Sequence, residues 1–223
     1  ILMYYPLAEL NEVKIMLEKL RISLIFINLV LLKSLSLNRR MHNLYTKFVR
    51  ILEICKQFSN NLVNDQGNIV RCGPVPKFSD LEVVALSLAA ESESIDSEKW
   101  LFDYKLQEYK EQIPNLISRR QFNDRRKKTA GLCEAIRKRI ALKMDGGEDF
   151  FLVDSKPVEV CRLARGKRCK MGQTGDFSKA PDFGYCASQN TYYFGYKLHA
   201  VCGLSGVVHS YDLSKASVHD LNY

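Results

Sequence analysis

One acidic residue, Asp154, stands where a carboxylate could bind a divalent metal ion. It ends the apolar run FFLVD and is followed by the turn-forming residues SKP. The uninterrupted run predicts a central strand buried on both faces, and a carboxylate there is costly to bury unless it meets a cation. Because Mg²⁺ binds through one or two carboxylates together with substrate phosphate, Asp154 is a candidate for phosphodiester chemistry. The alternative is that Asp154 only caps the DSKP turn, and the residue types are compatible with either role.

The position of the positive charge indicates a polyanionic partner for such chemistry. The chain of 223 residues carries a net charge of +8, from 33 Lys and Arg against 25 Asp and Glu. Residues 119–170 hold 16 basic and 7 acidic residues, whereas residues 1–118 hold 14 of each and residues 171–223 hold 3 and 4. A surplus confined to one block is typical of a nucleic-acid contact surface. A solvated helix face is the alternative.

The first part of this basic block has the pattern of one long amphipathic helix. Ser118 and Gln121 form a capping box, and the pattern continues to Met144, although Gly131 weakens its continuity. The apolar stripe consists of Phe122, Thr129, Cys133, Ile136, Ile140 and Met144. We expect the remaining arc to face phosphates, whose neutralisation releases counterions. The predicted DNA-contact residues are Arg119, Arg120, Arg125, Arg126, Lys127, Lys128, Arg137 and Lys138.

A second basic cluster follows Asp154. Its members lie close enough in sequence to Asp154 to approach a scissile phosphate, and a disordered loop is the alternative. The cluster consists of Arg162, Arg165, Lys167, Arg168 and Lys170.

Two further helices are predicted upstream of the basic helix, one that begins at the capping box of Ser79 and Glu82 and one from about residue 97 to residue 112.

The first forty residues differ in pattern from the rest. The apolar run ISLIFINLVLL is shorter than the roughly 20 residues that span a bilayer, and no signal-peptide cleavage site follows it. From Met41 onward, apolar residues recur at helical steps. We expect residues 1–40 to be a non-native extension and Met41 to be the native start. A buried helix and a targeting segment are the alternatives.

Seven cysteines are scattered along the chain without a CxxC pair. In a chain of this size they are expected to be free thiols in a reducing cytoplasm. A zinc site could be built on His199 and Cys202 with Cys169 or Cys186, but their spacing matches no usual ligand pattern.

The C-terminal residues predict further strands and carry a family resemblance. YYFGYKLHAVCG and GVVHSYDL predict two paired strands, and Ser217 with Asp220 predicts a helix start. The segments DSKPVEVCRLARGKRCK, GQTGDFSKAPDFGYCAS, YYFGYKLHAVCGLSGVVHSYDLS and KASVHDLNY closely resemble the DDE transposases of bacterial insertion sequences, specifically insertion sequence family 982. In this resemblance GQTGDFSKAPDFGYCAS corresponds to a long loop. The resemblance runs from about Met41 to Tyr223.

The resemblance implies an α+β protein, with a helical DNA-binding region at residues 41–146 and the first strands of a ribonuclease H-like catalytic domain at residues 147–223. It implies that three acidic residues hold two Mg²⁺ ions for DNA cleavage and strand transfer. Asp154 corresponds to the first acid, whereas the second and third correspond to no residue of this chain. We therefore expect a C-terminally truncated transposase that binds DNA without cutting it.

The same resemblance implies the partners and the location. Double-stranded DNA carrying terminal inverted repeats is the expected partner, with a homodimer as a further expectation, in the cytoplasm at the nucleoid and without a membrane. A non-catalytic DNA-binding protein or regulator derived from such an element is the alternative function.

Overall fold

The computed structural model describes residues 43–144, 149–170, 180–204 and 206–219. These residues form helices followed by an antiparallel sheet, which confirms the α+β class. The chain divides into two compact units between Ile140 and Ala141. No helix within the described ranges is long and apolar enough to cross a membrane. Residues 1–40, expected to be an extension, lie outside the described residues.

The helical unit is built around one central helix. Its helices are α1 (Leu44–Phe58), α2 (Asp80–Ser92), α3 (Glu98–Asp103), α4 (Arg119–Lys128) and α5 (Ala130–Met144), with a 3₁₀-helix at Lys105–Tyr109. Ten of the thirteen residues of α2 are buried, as expected of a helix that is apolar on all sides. The capping box of Ser79 and Glu82 is formed at its start, as predicted. The buried side of α1, including Phe48 and Ile51, packs against α2.

The predicted long basic helix is wrong in one respect, because it is divided into two helices at Thr129. The Thr129 hydroxyl donates to the Arg125 carbonyl at 3.0 Å, a side-chain bond that competes with the helical ladder. The helix start at Ser118 and the burial of Phe122, Thr129, Cys133, Ile136 and Ile140 agree with the prediction. Met144 is half-buried.

The sheet has β3 at its centre. Its strands are β1 (Phe151–Cys161), β2 (Asp182–Cys186), β3 (Thr191–Gly203) and β4 (Val208–Lys215), with a 3₁₀-helix at Leu163–Arg168 between β1 and β2. β3 pairs with β1 along one edge, and with β2 and then β4 along the other. The segment expected to be a long loop before β3 therefore contains a strand. The helix predicted after Ser217 lies largely outside the described residues.

The prediction that β1 is a central strand buried on both faces is wrong. Within the described ranges, β1 has β3 as its one neighbour and is an edge strand. Its first residues are exposed, with 62% of Leu152 and 61% of Val153 accessible to solvent. An apolar run does not distinguish a strand that has two neighbours from one whose outer edge is open, because both depend on contacts distant in sequence.

Candidate functional site

Asp154 lies on the exposed part of β1, directly opposite Ala200 of β3. Its Oδ1 accepts the N–H of Ser155 at 2.8 Å. The nearby Cys202 thiol has a raised pKa, first because of burial and second because of the negative charge of Asp154. The Asp154 side chain is exposed, so its carboxylate is available to a cation, while one of its oxygens accepts a backbone hydrogen bond.

The backbone groups of β1 point alternately toward β3 and toward the open edge of the strand. The Val158 carbonyl points toward β3, where it lies against Gly195. The alternate residues Ser155 and Pro157 therefore direct their backbone groups away from β3, to the open edge. Pro157 has no N–H to donate, which suits an outward-facing position on an edge strand. The open edge thus offers hydrogen bonds beside Asp154 but is interrupted two residues after Ser155.

The described residues do not complete a metal site around Asp154. No group of three or more His, Cys, Asp or Glu side chains among them is placed to hold a metal ion. Asp154 fits one ligand position of a hard divalent ion, and the two-ion site implied by the resemblance needs further carboxylates. The suggested zinc pair is also not formed, because His199 and Cys202 lie on opposite faces of β3. The His199 Nε2 lies instead 2.7 Å from the Ser214 hydroxyl.

The second basic cluster is an exposed surface of the sheet unit. Arg162, Arg165, Lys167, Arg168 and Lys170 are all exposed. The segment is anchored rather than loose, because Gly166 is buried against the rings of Phe183 and Phe194. A Cβ at Gly166 would lie 2.7 Å from the Phe183 ring, so this close approach requires glycine. The disordered-loop alternative is therefore wrong for the described residues 162–170.

The first basic cluster is only partly open to solvent. Arg119, Arg120, Lys128 and Lys138 are exposed, and Arg126 and Lys127 are half-buried. Arg126 pairs with Glu98 of α3, with 3.2 Å between Nη2 and Oε1. Arg137 is 3% exposed and pairs with Glu134, with 2.8 Å between Nη2 and Oε1. The expectation that the whole basic arc faces solvent is thus corrected at Arg137.

Arg125 is the second correction, because it makes internal contacts of the helical unit. Its Nη2 lies 2.6 Å from Oδ1 of Asp80, a carboxylate that is fully buried. The same carboxylate accepts the Ile69 N–H at 3.0 Å and lies 3.4 Å from Arg71 Nη2. Arg125 also donates to the Phe78 carbonyl. Sequence reasoning misses Asp80 because an acidic residue in the first turn of a helix is ordinarily explained by the helix dipole.

Comparison with known proteins bears on the sheet unit. Residues 145–223 match the family model of the transposase DDE domain. Comparison with curated proteins and with solved structures finds no match to the chain. The match covers Asp154, the second basic cluster and all four strands. Residues 145–223, the C-terminal third of this chain, are therefore similar to a transposase DDE domain.

Proposed function

We propose that the protein is an insertion-sequence transposase of insertion sequence family 982, which binds element-end DNA for DNA cleavage and strand transfer. The observation that carries this is the solvent-open Asp154 carboxylate on the same unit as an exposed, anchored basic cluster, within a transposase DDE domain. A polyanionic substrate is drawn to such a cluster, and a carboxylate on the same unit can hold the divalent ion that the phosphate needs.

In this proposal Asp154 is the first acid of a ribonuclease H-like domain and one ligand of Mg²⁺. Among the described residues, Asp154 is the one metal ligand assigned, and DNA binding alone is the activity proposed for this chain.

DNA contacts are assigned to the exposed basic residues of each unit separately. Arg125 and Arg137, whose guanidinium groups are engaged internally, and the half-buried Arg126 and Lys127 are left out. Terminal inverted repeats, a homodimer and a location at the nucleoid belong to the same proposal. The assigned residues are Arg119, Arg120, Lys128 and Lys138 of the helical unit and Arg162, Arg165, Lys167, Arg168 and Lys170 of the sheet unit.

Binding of duplex DNA tests the proposal directly. We expect the chain to bind a duplex carrying the terminal inverted repeat. The logarithm of the binding constant is expected to fall linearly with the logarithm of the salt concentration. Absence of binding to any duplex at low salt would contradict it. Cleavage of the duplex by this chain in Mg²⁺ would contradict the assignment of DNA binding alone.

Paramagnetic broadening by Mn²⁺ tests the role of Asp154 separately. We expect the backbone NMR signals of Asp154 and Ser155 to broaden in Mn²⁺ and to be unaffected in Asp154→Asn. Asp212→Asn is the matched control, because Asp212 is also exposed and its Oδ1 accepts the next N–H at 2.8 Å. Equal broadening in Asp154→Asn would show that Asp154 is not a ligand, and would favour the non-catalytic DNA-binding alternative.

A further inference from the structure

Two exposed tyrosines form a pair at the end of the β2–β3 hairpin. Tyr185 and Tyr192 lie directly opposite each other, with ring centroids 4.9 Å apart and an interplanar angle of 49°. They are 46% and 68% exposed, so a large part of this pair is open to solvent. The Tyr185 hydroxyl donates to Oδ1 of Asn190 at 2.7 Å, which fixes the ring relative to the turn. The pair is thus a preoriented aromatic surface.

This tyrosine pair adjoins the second basic cluster on one face of the sheet. Phe183 and Phe194 form the next cross-strand pair on that face, with ring centroids 4.8 Å apart. Their rings contact Gly166, which lies between Arg165 and Lys167 in the 3₁₀-helix. Residues 162–170 contain five basic and no acidic residues. The buried Gly166 therefore holds a purely basic segment against the Phe183–Phe194 pair, which is the neighbour of the exposed tyrosine pair on the same face.

The same face carries Asp154. Tyr192 and Ala200 are eight residues apart on β3 and share a face, and Ala200 lies opposite Asp154. At about 3.3 Å per residue, the tyrosine pair is about 26 Å from Asp154 along the strand. A nucleic-acid strand of several nucleotides can span that distance and contact both.

We propose that Tyr185 and Tyr192 are a stacking platform for an unpaired DNA strand, whose phosphates are held by Arg165, Lys167 and Arg168. Bases within a duplex are already stacked on each other, whereas unpaired bases offer a free face to an aromatic ring. The positive charge selects a polyanion over an apolar protein partner. The substrate class at this site is single-stranded DNA adjoining the element end. The inference rests on the proposed function and refines its substrate.

Fluorescence anisotropy with a labelled 12-nucleotide oligothymidylate and a duplex of equal length tests the inference. We expect the double variant Tyr185→Leu, Tyr192→Leu to weaken single-strand binding by about 5-fold or more. Duplex binding is expected to change by less than about 2-fold, because the tyrosines contribute no charge. Tyr185→Phe with Tyr192→Phe keeps both rings but loses the hydrogen bond to Asn190, and is expected to lose less single-strand affinity than the leucine variant. Tyr104→Leu is the matched control, a tyrosine of the helical unit that is 65% exposed.

A second readout does not depend on the folding of the variants. In the wild-type protein, an oligonucleotide carrying 5-iodouracil is expected to crosslink on illumination to Tyr185 or Tyr192. Wild-type affinity of the leucine variant for the oligothymidylate, or crosslinks confined to other residues, would show that the tyrosines are not a stacking platform. If the wild-type protein still binds the duplex, the proposed function stands. Failure of the wild-type protein to bind either DNA form would overturn both.

Discussion

The Arg125 guanidinium and the Asp80 carboxylate form an ion pair that joins the basic helix α4 to the first turn of the central helix α2. Asp80 is fully buried and the Arg125 side chain is 13% exposed, so the pair is largely removed from water. A buried carboxylate is tolerated because it is paired and also accepts backbone and side-chain hydrogen bonds. One residue of the basic block therefore joins two helices of the helical unit.

Removing this carboxylate is expected to destabilise the helical unit. Asp80→Ala leaves two arginines beside a cavity without their anion, and we expect the free energy of unfolding to fall by about 3–5 kcal/mol. Urea unfolding followed by circular dichroism measures the change. Asp65→Ala, at an exposed position, is the control and is expected to change it by less than about 0.5 kcal/mol. A decrease below about 1 kcal/mol in Asp80→Ala would show that the pair is not a structural contact.

Neutralising the exposed basic residues of α4 and α5 is expected to alter the salt dependence of DNA binding. In the quadruple variant Arg119→Ala, Arg120→Ala, Lys128→Ala, Lys138→Ala, the double-logarithmic slope is expected to decrease by about 0.9 for each phosphate that no longer meets a cation. Affinities measured at a series of salt concentrations give that slope. Arg50→Ala on α1 removes an exposed cation outside the assigned surface and is expected to leave it unchanged. A wild-type slope in the quadruple variant would move the contact surface to residues 162–170.

Two glycines are expected to respond to alanine in opposite directions. A Cβ at Gly184 would lie 2.5 Å from the Ala216 carbonyl oxygen, so Gly184→Ala is expected to destabilise the sheet unit by about 1–3 kcal/mol. Gly131 lies in α5 with nothing within 4 Å of its Cβ position, so Gly131→Ala is expected to stabilise the helical unit by about 0.5–1 kcal/mol. Hydrogen exchange resolved by residue reports each unit separately. Faster exchange in β2 is expected for the first variant, and unaltered exchange there would contradict the close approach.

The thiols are expected to differ widely in reactivity. The Ser188 hydroxyl, 3.3 Å from Sγ, lowers the pKa of Cys186, whereas burial raises the pKa of Cys133 to about 12 and that of Cys55 above its usual range. Since the thiolate is the nucleophile, iodoacetamide at pH 7 is expected to alkylate Cys186 and to spare Cys55 and Cys133. Mass spectrometry at timed intervals measures the rates.

Ser188→Ala is expected to slow the alkylation of Cys186, and addition of urea is expected to expose the two buried thiols. Alkylation of Cys133 at the rate of Cys186 in the native protein would contradict its burial. The raised pKa of Cys133 also makes the stability of the fold depend on pH. Above about pH 9 the Cys133 thiol ionises in the unfolded chain, whereas in the folded chain it keeps its proton to about pH 12. The free energy of unfolding is therefore expected to fall as the pH rises through this range.

Local signals in the sequence were sufficient for the helix starts and for the buried stripe. Capping boxes at Ser79 and Ser118 depend on residues three apart, and the stripe that begins at Phe122 depends on helical periodicity. The resemblance that begins at DSKP pointed to the DDE domain, which the family match confirms. The roles assigned to Asp154 and to the exposed basic residues stay predictions.

The sequence by itself determined the α+β class, the helix starts, the location of the excess positive charge in residues 119–170 and the DDE resemblance. Each of these depends on residues that are near one another in the chain. Only the tertiary structure decided that β1 is an edge strand among the described residues, that Arg125 is paired with Asp80 and that Gly166 lies against Phe183 and Phe194. These contacts join residues that are far apart along the chain. An arginine has the same charge on a surface and in a buried pair, so its partner, and not its type, determines what it does.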